Sequence, residues 1–167
     1  MAFLPFENFV LHSPLSAEES CKRLTDIVGP VPFFRGKALN KYQGKIAQNT
    51  FDITRSINYR NSFVPMIRGT IAPGEYGRGS IIRISMKIDA AVSVFLLIWC
   101  GGVAFAGLAL VSTLISGSQK FSPAFLIPIG MLAGGYIMAT LAFGTERDKA
   151  IKDFTELFEA GPVKKGN

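Results

Sequence analysis

One stretch of the chain concentrates groups able to hold an anion: Arg55-Ser56-Ile57-Asn58-Tyr59-Arg60-Asn61-Ser62-Phe63-Val64-Pro65. A guanidinium binds carboxylate or phosphate through a fork of donors, and phenol and amide groups add directed hydrogen bonds. Arg55 is the pointed residue. It falls on the face of a strand that also holds Phe51, Ile53 and Ile57. A cation on an apolar face must find a carboxylate, backbone carbonyls or a ligand anion. Two readings follow. Arg55, Tyr59, Arg60 and Asn61 form a headgroup or anionic-ligand site, or Arg55 pairs with a helix carboxylate while Tyr59 and Asn61 hold the connection between two strands.

Other chemistries find little support. His12 is the single histidine, and Cys21 and Cys100 lie in different surroundings, so no Cys/His set has metal-ligand spacing. No metal or cofactor is expected. Gly74-x-x-Gly77-x-Gly79 is followed by a strand pattern, whereas a phosphate loop opens a helix. No nucleophile–base or paired-carboxylate set stands out, and a non-enzymatic protein is expected. Glu146 and Asp148 sit at the start of the C-terminal tail, and Asp89 reads as a solvated boundary carboxylate.

The elements that would position these residues divide the 167-residue chain in three. Residues 1–88 carry the β-rich pattern. Glu7–His12 reads as a strand, and Ser16-Ala17-Glu18-Glu19 has the Ser-x-x-Glu form that opens a helix. Ala17, Cys21, Leu24 and Val28 make that helix's apolar stripe, and Gly29-Pro30 ends it. Phe33-Phe34-Arg35 lies in a proline-rich loop that either dips into lipid or plugs the sheet. Tyr42–Ala47 and Phe51–Ile57 flank a Gln48-Asn49-Thr50 turn. Ile67, Gly69 and Ile71 alternate with polar residues after Pro65, and Ile82, Ile84, Met86 and Ile88 alternate with Ile81, Arg83, Ser85 and Lys87.

Between Asp89 and Glu146 lie 56 residues whose single formal charge is Lys120. This stretch, 89–144, reads as a transmembrane helical hairpin with spans at about 90–115 and 121–143, joined by Ser116-Gly117-Ser118-Gln119-Lys120. Neither span carries an ionisable residue, which argues against a transporter or channel. Pro128 should kink the second span. Gly102-x-x-x-Ala106, Gly130-x-x-x-Gly134 and Gly135-x-x-x-Ala139 offer small-residue surfaces for close helix packing, within the chain or with a partner.

Residues 145–167 form an amphipathic helix and tail, with Ala150, Ile151, Phe154, Leu157 and Phe158 on one stripe. That stripe either packs back on the sheet or lies in the membrane interface, and its five acidic and five basic residues favour the sheet. The expected fold is α+β. An antiparallel sheet of four to five strands is covered by an N-terminal and a C-terminal helix, with the membrane hairpin inserted between the last strand and the closing helix.

Lys and Arg number twelve in residues 1–88, one at the hairpin tip and five after residue 143, which under the positive-inside rule has both termini facing the cytoplasm. The net charge of +6 attracts anionic membrane lipids, while the scatter of basic residues argues against nucleic acid. A membrane-protein partner or a homo-oligomer is compatible with the small-residue faces.

The segment Phe51-x-Ile53-x-Arg55-x3-Tyr59-Arg60-Asn61-Ser62-Phe63-x-Pro65-x3-Gly69 resembles small bacterial membrane proteins of uncharacterised function that join a cytoplasmic β-rich domain to a two-helix hairpin. The resemblance implies architecture and compartment, not an activity. The element order is also similar to helix-grip lipid-binding domains and, more loosely, to pleckstrin-like sheets. Two functions are therefore expected. The first is a membrane-anchored accessory or regulatory protein acting at the cytoplasmic leaflet through a protein partner or lipid. The second is a lipid or apolar-ligand binding module.

Overall fold

Alternation of period two builds most of the ordered structure in the N-terminal part. The computed structural model describes residues 5–31, 40–74, 78–117 and 120–161, and the backbone of 164–165. The loop residues Phe33, Phe34 and Arg35 lie outside the described residues. In chain order the elements are β1 (Phe6–Ser13), α1 (Ala17–Ile27), β2 (Val28–Gly29), β3 (Tyr42–Ala47), β4 (Thr50–Arg55), β5 (Met66–Pro73), β6 (Ser80–Lys87), α2 (Ala90–Ile115), a 3₁₀ turn (Pro123–Leu126), α3 (Ile127–Leu157) and β7 (Lys164–Lys165).

The fold is α+β, and its sheet runs β2-β3-β4-β5-β6-β1-β7. The five long strands are antiparallel, with β1 returning beside β6 in the register Phe9↔Ile84 and Leu11↔Ile82. Two corrections to the expected sheet arise at its edges. The chain leaving α1 does not pass straight into a loop, because Val28 and Gly29 pair with Tyr42 and Gln43 in parallel, which makes the sheet mixed. Lys164 and Lys165 pair with Val10 and Phe9 on the other edge, which brings the strand count to seven. Both additions put backbone partners on edges that would otherwise expose unpaired groups. The β3–β4 turn is also tighter than expected, since Thr50 already pairs with Ala47, and Ile57 lies beyond the end of β4.

Strand parity sends Phe9, Leu11, Phe51, Ile53, Ile67, Ile71, Ile82, Ile84, Met86 and Ile88 to one face, all buried. The helix α1 covers part of it. Ser16 caps this helix by accepting from the Glu19 N–H, Leu24 is fully buried, and Ser20 hydrogen-bonds Ser80 at 2.9 Å. The C-terminal half of α3 covers the rest with Ala150, Phe154 and Phe158. The Phe154 ring lies 5.3 Å from that of Tyr42, 6.3 Å from Phe51 and 6.0 Å from Phe158. Gly69 faces this aromatic group, where an added Cβ would stand 2.2 Å from Phe51 Cζ. The strand therefore needs glycine there so that the Phe51 ring can lie across it.

Two helices are long and apolar enough to cross a membrane: Ala90–Ile115, 26 residues of mean hydropathy 2.4, and Pro123–Leu157, 35 residues of mean hydropathy 1.8. Their most apolar stretches are only 6% and 11% buried, so these stretches, unlike the C-terminal half of α3, are not packed into the core of the sheet domain. Phe105, Ile98 and Leu141 stand exposed. Asp89 caps α2 by accepting from the Ala91 N–H at 2.8 Å. Pro128 does not kink a span as expected. It occupies the first turn of α3, where a proline's missing N–H would have had no partner, and the helix runs on from there to Leu157.

Phe154→Ala should lower the unfolding free energy of the detergent-solubilised chain by about 3–5 kcal/mol. Chemical denaturation followed by tryptophan-independent far-ultraviolet circular dichroism reads it. An unchanged midpoint would mean that α3 does not close the core.

Candidate functional site

The connection from Ser56 to Pro65 leaves β4 and returns to β5 at the end of the sheet from which α2 departs. It runs against α3 where that helix passes from its exposed apolar part to its sheet-covering part. Asn61 Oδ1 accepts from the Phe63 N–H at 2.9 Å, an Asx-type turn, and its Nδ2 reaches the Ala142 carbonyl at 3.4 Å. Tyr59, half exposed, donates its hydroxyl to Glu146.

Arg55 ends β4 and points to the core side of the sheet. Its Nη1 lies 3.0 Å from Glu146 Oε2, and its Nε lies 3.6 Å from Asp153 Oδ2, an ion pair too long for a hydrogen bond. Glu146 is 1% exposed and takes three partners: Arg55, the Tyr59 hydroxyl and Lys149 Nζ at 2.7 Å. Asp153 accepts from the Tyr42 hydroxyl at 2.9 Å and pairs with Lys41 at 2.8 Å. One network thus joins β3, β4 and the β4–β5 connection to two turns of α3.

The electrostatics follow from this pairing. Burial opposes ionisation of Glu146, but hydrogen bonds from Lys149, Tyr59 and Arg55 outweigh it and hold the carboxyl below its ordinary value. Burial likewise works against the Arg55 cation, and the Glu146 hydrogen bond with the charges of Glu146 and Asp153 more than restores it. Burial first, and the Asp153 carboxylate second, push the Tyr42 phenol up.

Of the four anion-site candidates, Arg55, Tyr59 and Asn61 come together on α3, while Arg60 stands exposed on the connection. The guanidinium that would read a ligand is already engaged by two carboxylates. Glu146 and Asp153 are the residues that sequence reasoning passed over. Their signal was present: Glu146, Ala150, Asp153 and Phe154 fall at helical spacing on one face, so the two acids border the apolar stripe.

Two of the three small-residue surfaces do not form the contact between α2 and α3. An added Cβ at Gly102, Gly130 or Gly134 would meet nothing within 4 Å, and Ala106 is exposed. The third does: a Cβ on Gly135 would stand 2.6 Å from Trp99 Cζ3, and Ala139 is buried. A second close approach is at Gly107, where a Cβ would stand 3.3 Å from Pro128 Cβ. The bulky Trp99 ring seats on a glycine, and spacing alone could not choose between Gly134 and Gly135. No metal-holding group of His, Cys, Asp or Glu occurs among the described residues.

Because Glu146 titrates below its ordinary value of 4.5 in the folded chain, its contribution to stability is complete above 4.5 and is lost as pH falls through the lowered value. Denaturation midpoints measured from neutral pH downward should fall below about 4.5 in the native chain and fall less steeply in Glu146→Gln. Parallel profiles would show that the buried carboxyl is not ionised.

No protein family, curated protein or solved structure matches this chain.

Proposed function

We propose that this is a non-enzymatic, membrane-anchored accessory protein whose α+β domain works through a protein partner at the cytoplasmic face of a bacterial inner membrane. The observation that carries the reading is the continuity of α3. A single helix begins as an exposed apolar segment and ends as the cover of the sheet, with the Arg55–Glu146 pair at the changeover. Such a helix fixes the height and orientation of the domain relative to the bilayer, which suits a protein that presents a surface. Cations near the changeover, Arg60, Lys87, Arg147 and Lys149, suit an anionic leaflet and the orientation with both termini cytoplasmic.

The second reading is a lipid-binding module. It is supported by the anion-binding residue types of the β4–β5 connection and by an apolar groove of about 300 Å³ between the helices, lined by Leu96, Cys100, Leu132 and Ala139. It is weakened by Phe154, whose ring fills the space between sheet and closing helix where a helix-grip domain would hold its ligand.

Thiol labelling tests the orientation. In a chain with Cys21 and Cys100 replaced by serine, a cysteine at Gly117 should react with an impermeant maleimide on intact spheroplasts. A cysteine at Lys22 should react only after lysis. The reverse pattern would overturn the proposal. Native mass spectrometry of the gently extracted protein separates the two functions. A stoichiometric protein complex is expected, whereas a discrete lipid retained by the native chain and released by Arg60→Ala would favour the second reading.

A further inference from the structure

The sheet face opposite α1 and α3 carries no covering element among the described residues. Its side chains occupy the alternate strand positions. Lys45, Asp52, Arg68 and Ser85 share one row across β3 to β6, with Arg83 one row further along β6 and Lys87 one row back. Short side chains such as Ala47, Thr50 and Thr70 leave a shallow trough of about 740 Å³ over the middle of this face. Four cations therefore meet one acid. Arg68 pairs with Asp52 at 2.8 Å, while Lys45, Arg83 and Lys87 are exposed and make no ion pair or hydrogen bond among the described residues.

The spacing of the charges defines what fits. Arg83, Ser85 and Lys87 point to this face at every second residue of β6, and Arg68 stands beside Ser85 on β5. Along the strand direction, Arg83, Arg68 and Lys87 are thus successive steps of about 6.8 Å, two residues of an extended chain. An extended peptide repeats its own side chains at the same interval. We propose that this face docks an extended acidic segment of a partner protein, with carboxylates on alternate residues meeting Arg83, Arg68 and Lys87. The inference deepens the reading that the protein acts through a protein partner, and rests on it for its setting.

Two other anions fit less well. The end of β6 at Lys87 leads through Ile88 into α2, so Arg83 lies about 13 Å further along the strand, away from the apolar helices. A lipid surface offers mobile headgroups with no fixed repeat to match steps of about 6.8 Å. A single-stranded nucleic acid would find cations but, among the described residues of this face, one exposed ring, Phe6 opposite Lys87 at one end of the row, rather than successive stacking platforms, because Phe9 and Phe51 send their rings to the core.

The test uses the full chain in nanodiscs of neutral phosphatidylcholine and a short fluorescent peptide alternating glutamate and serine. Its control has the same composition with the glutamates contiguous. Anisotropy should show tighter binding of the alternating peptide, and Arg83→Glu or Lys87→Glu should each weaken it by about tenfold. Both positions are exposed, so unchanged melting shows that the variants remain folded. Equal binding of the two peptides, or unaltered binding by the variants, would overturn the proposal. So would displacement of the peptide by phosphatidylglycerol vesicles or by oligothymidylate at equal charge concentration. The readout does not depend on membrane orientation. A chain that binds the peptide but labels from the opposite side contradicts the orientation alone, and a correctly oriented chain that ignores the peptide contradicts this docking site alone.

Discussion

A carboxylate that is almost wholly removed from water must be paired, and the rest of this structure is arranged around the pairing of Glu146. An isolated buried charge costs several kcal/mol, more than any one apolar contact in a core of this size supplies. Arg55 from the sheet, Tyr59 from the β4–β5 connection and Lys149 from the same helix all converge on it. Because those partners come from separate elements, the sheet, the connection and α3 can satisfy the carboxylate in only one mutual placement. Hydrophobic burial supplies the attraction between α3 and the sheet, but it is tolerant of sliding. The charge network sets the register.

That register matters because α3 changes character along its length. Before Phe143 its side chains are mostly apolar and exposed, and after Glu146 one stripe of them, Ala150, Phe154 and Phe158, becomes the buried cover of the sheet. The changeover falls within one turn, and the ionic network sits there. On the other side of the junction β6 passes through Ile88 to the Asp89 cap of α2 without a linker. The sheet is thus connected to the apolar hairpin at two neighbouring points, one covalent and local, one through packed side chains. A domain held in this way offers its uncovered face in a fixed attitude. The proposed role, presenting a surface rather than enclosing a ligand, draws on that attitude.

Much of this was legible in the sequence because the physical signals are periodic. The alternation over Ser80–Ile88 named the buried set of β6 correctly, the Ser16–Glu19 spacing marked the start of α1, and the charge-free stretch marked two long apolar helices. Other features depend on partners distant in the chain. Nothing near Val28 announces a parallel bridge to Tyr42, and a two-residue pairing such as Lys164–Lys165 has no period to read. The identity of Arg55's partners required knowing which turn of α3 lies over β4. Small residues at four-residue spacing named both Gly130-x-x-x-Gly134 and Gly135-x-x-x-Ala139, but which of them is the seat, Gly135 under Trp99, depends on the rotation of one helix about its axis.

The most direct measurement is a double-mutant cycle between Arg55→Leu and Glu146→Leu, read as unfolding free energy in nanodiscs. Each single change takes one partner from a charge that keeps others, Lys149 and Tyr59 on Glu146 and Asp153 beside Arg55, and is predicted to cost about 1.5–3 kcal/mol, while the double change costs less than the sum. Additive losses, agreeing within about 0.5 kcal/mol, would contradict the account, because the two residues would then act independently and the sheet would be held to α3 by packing alone.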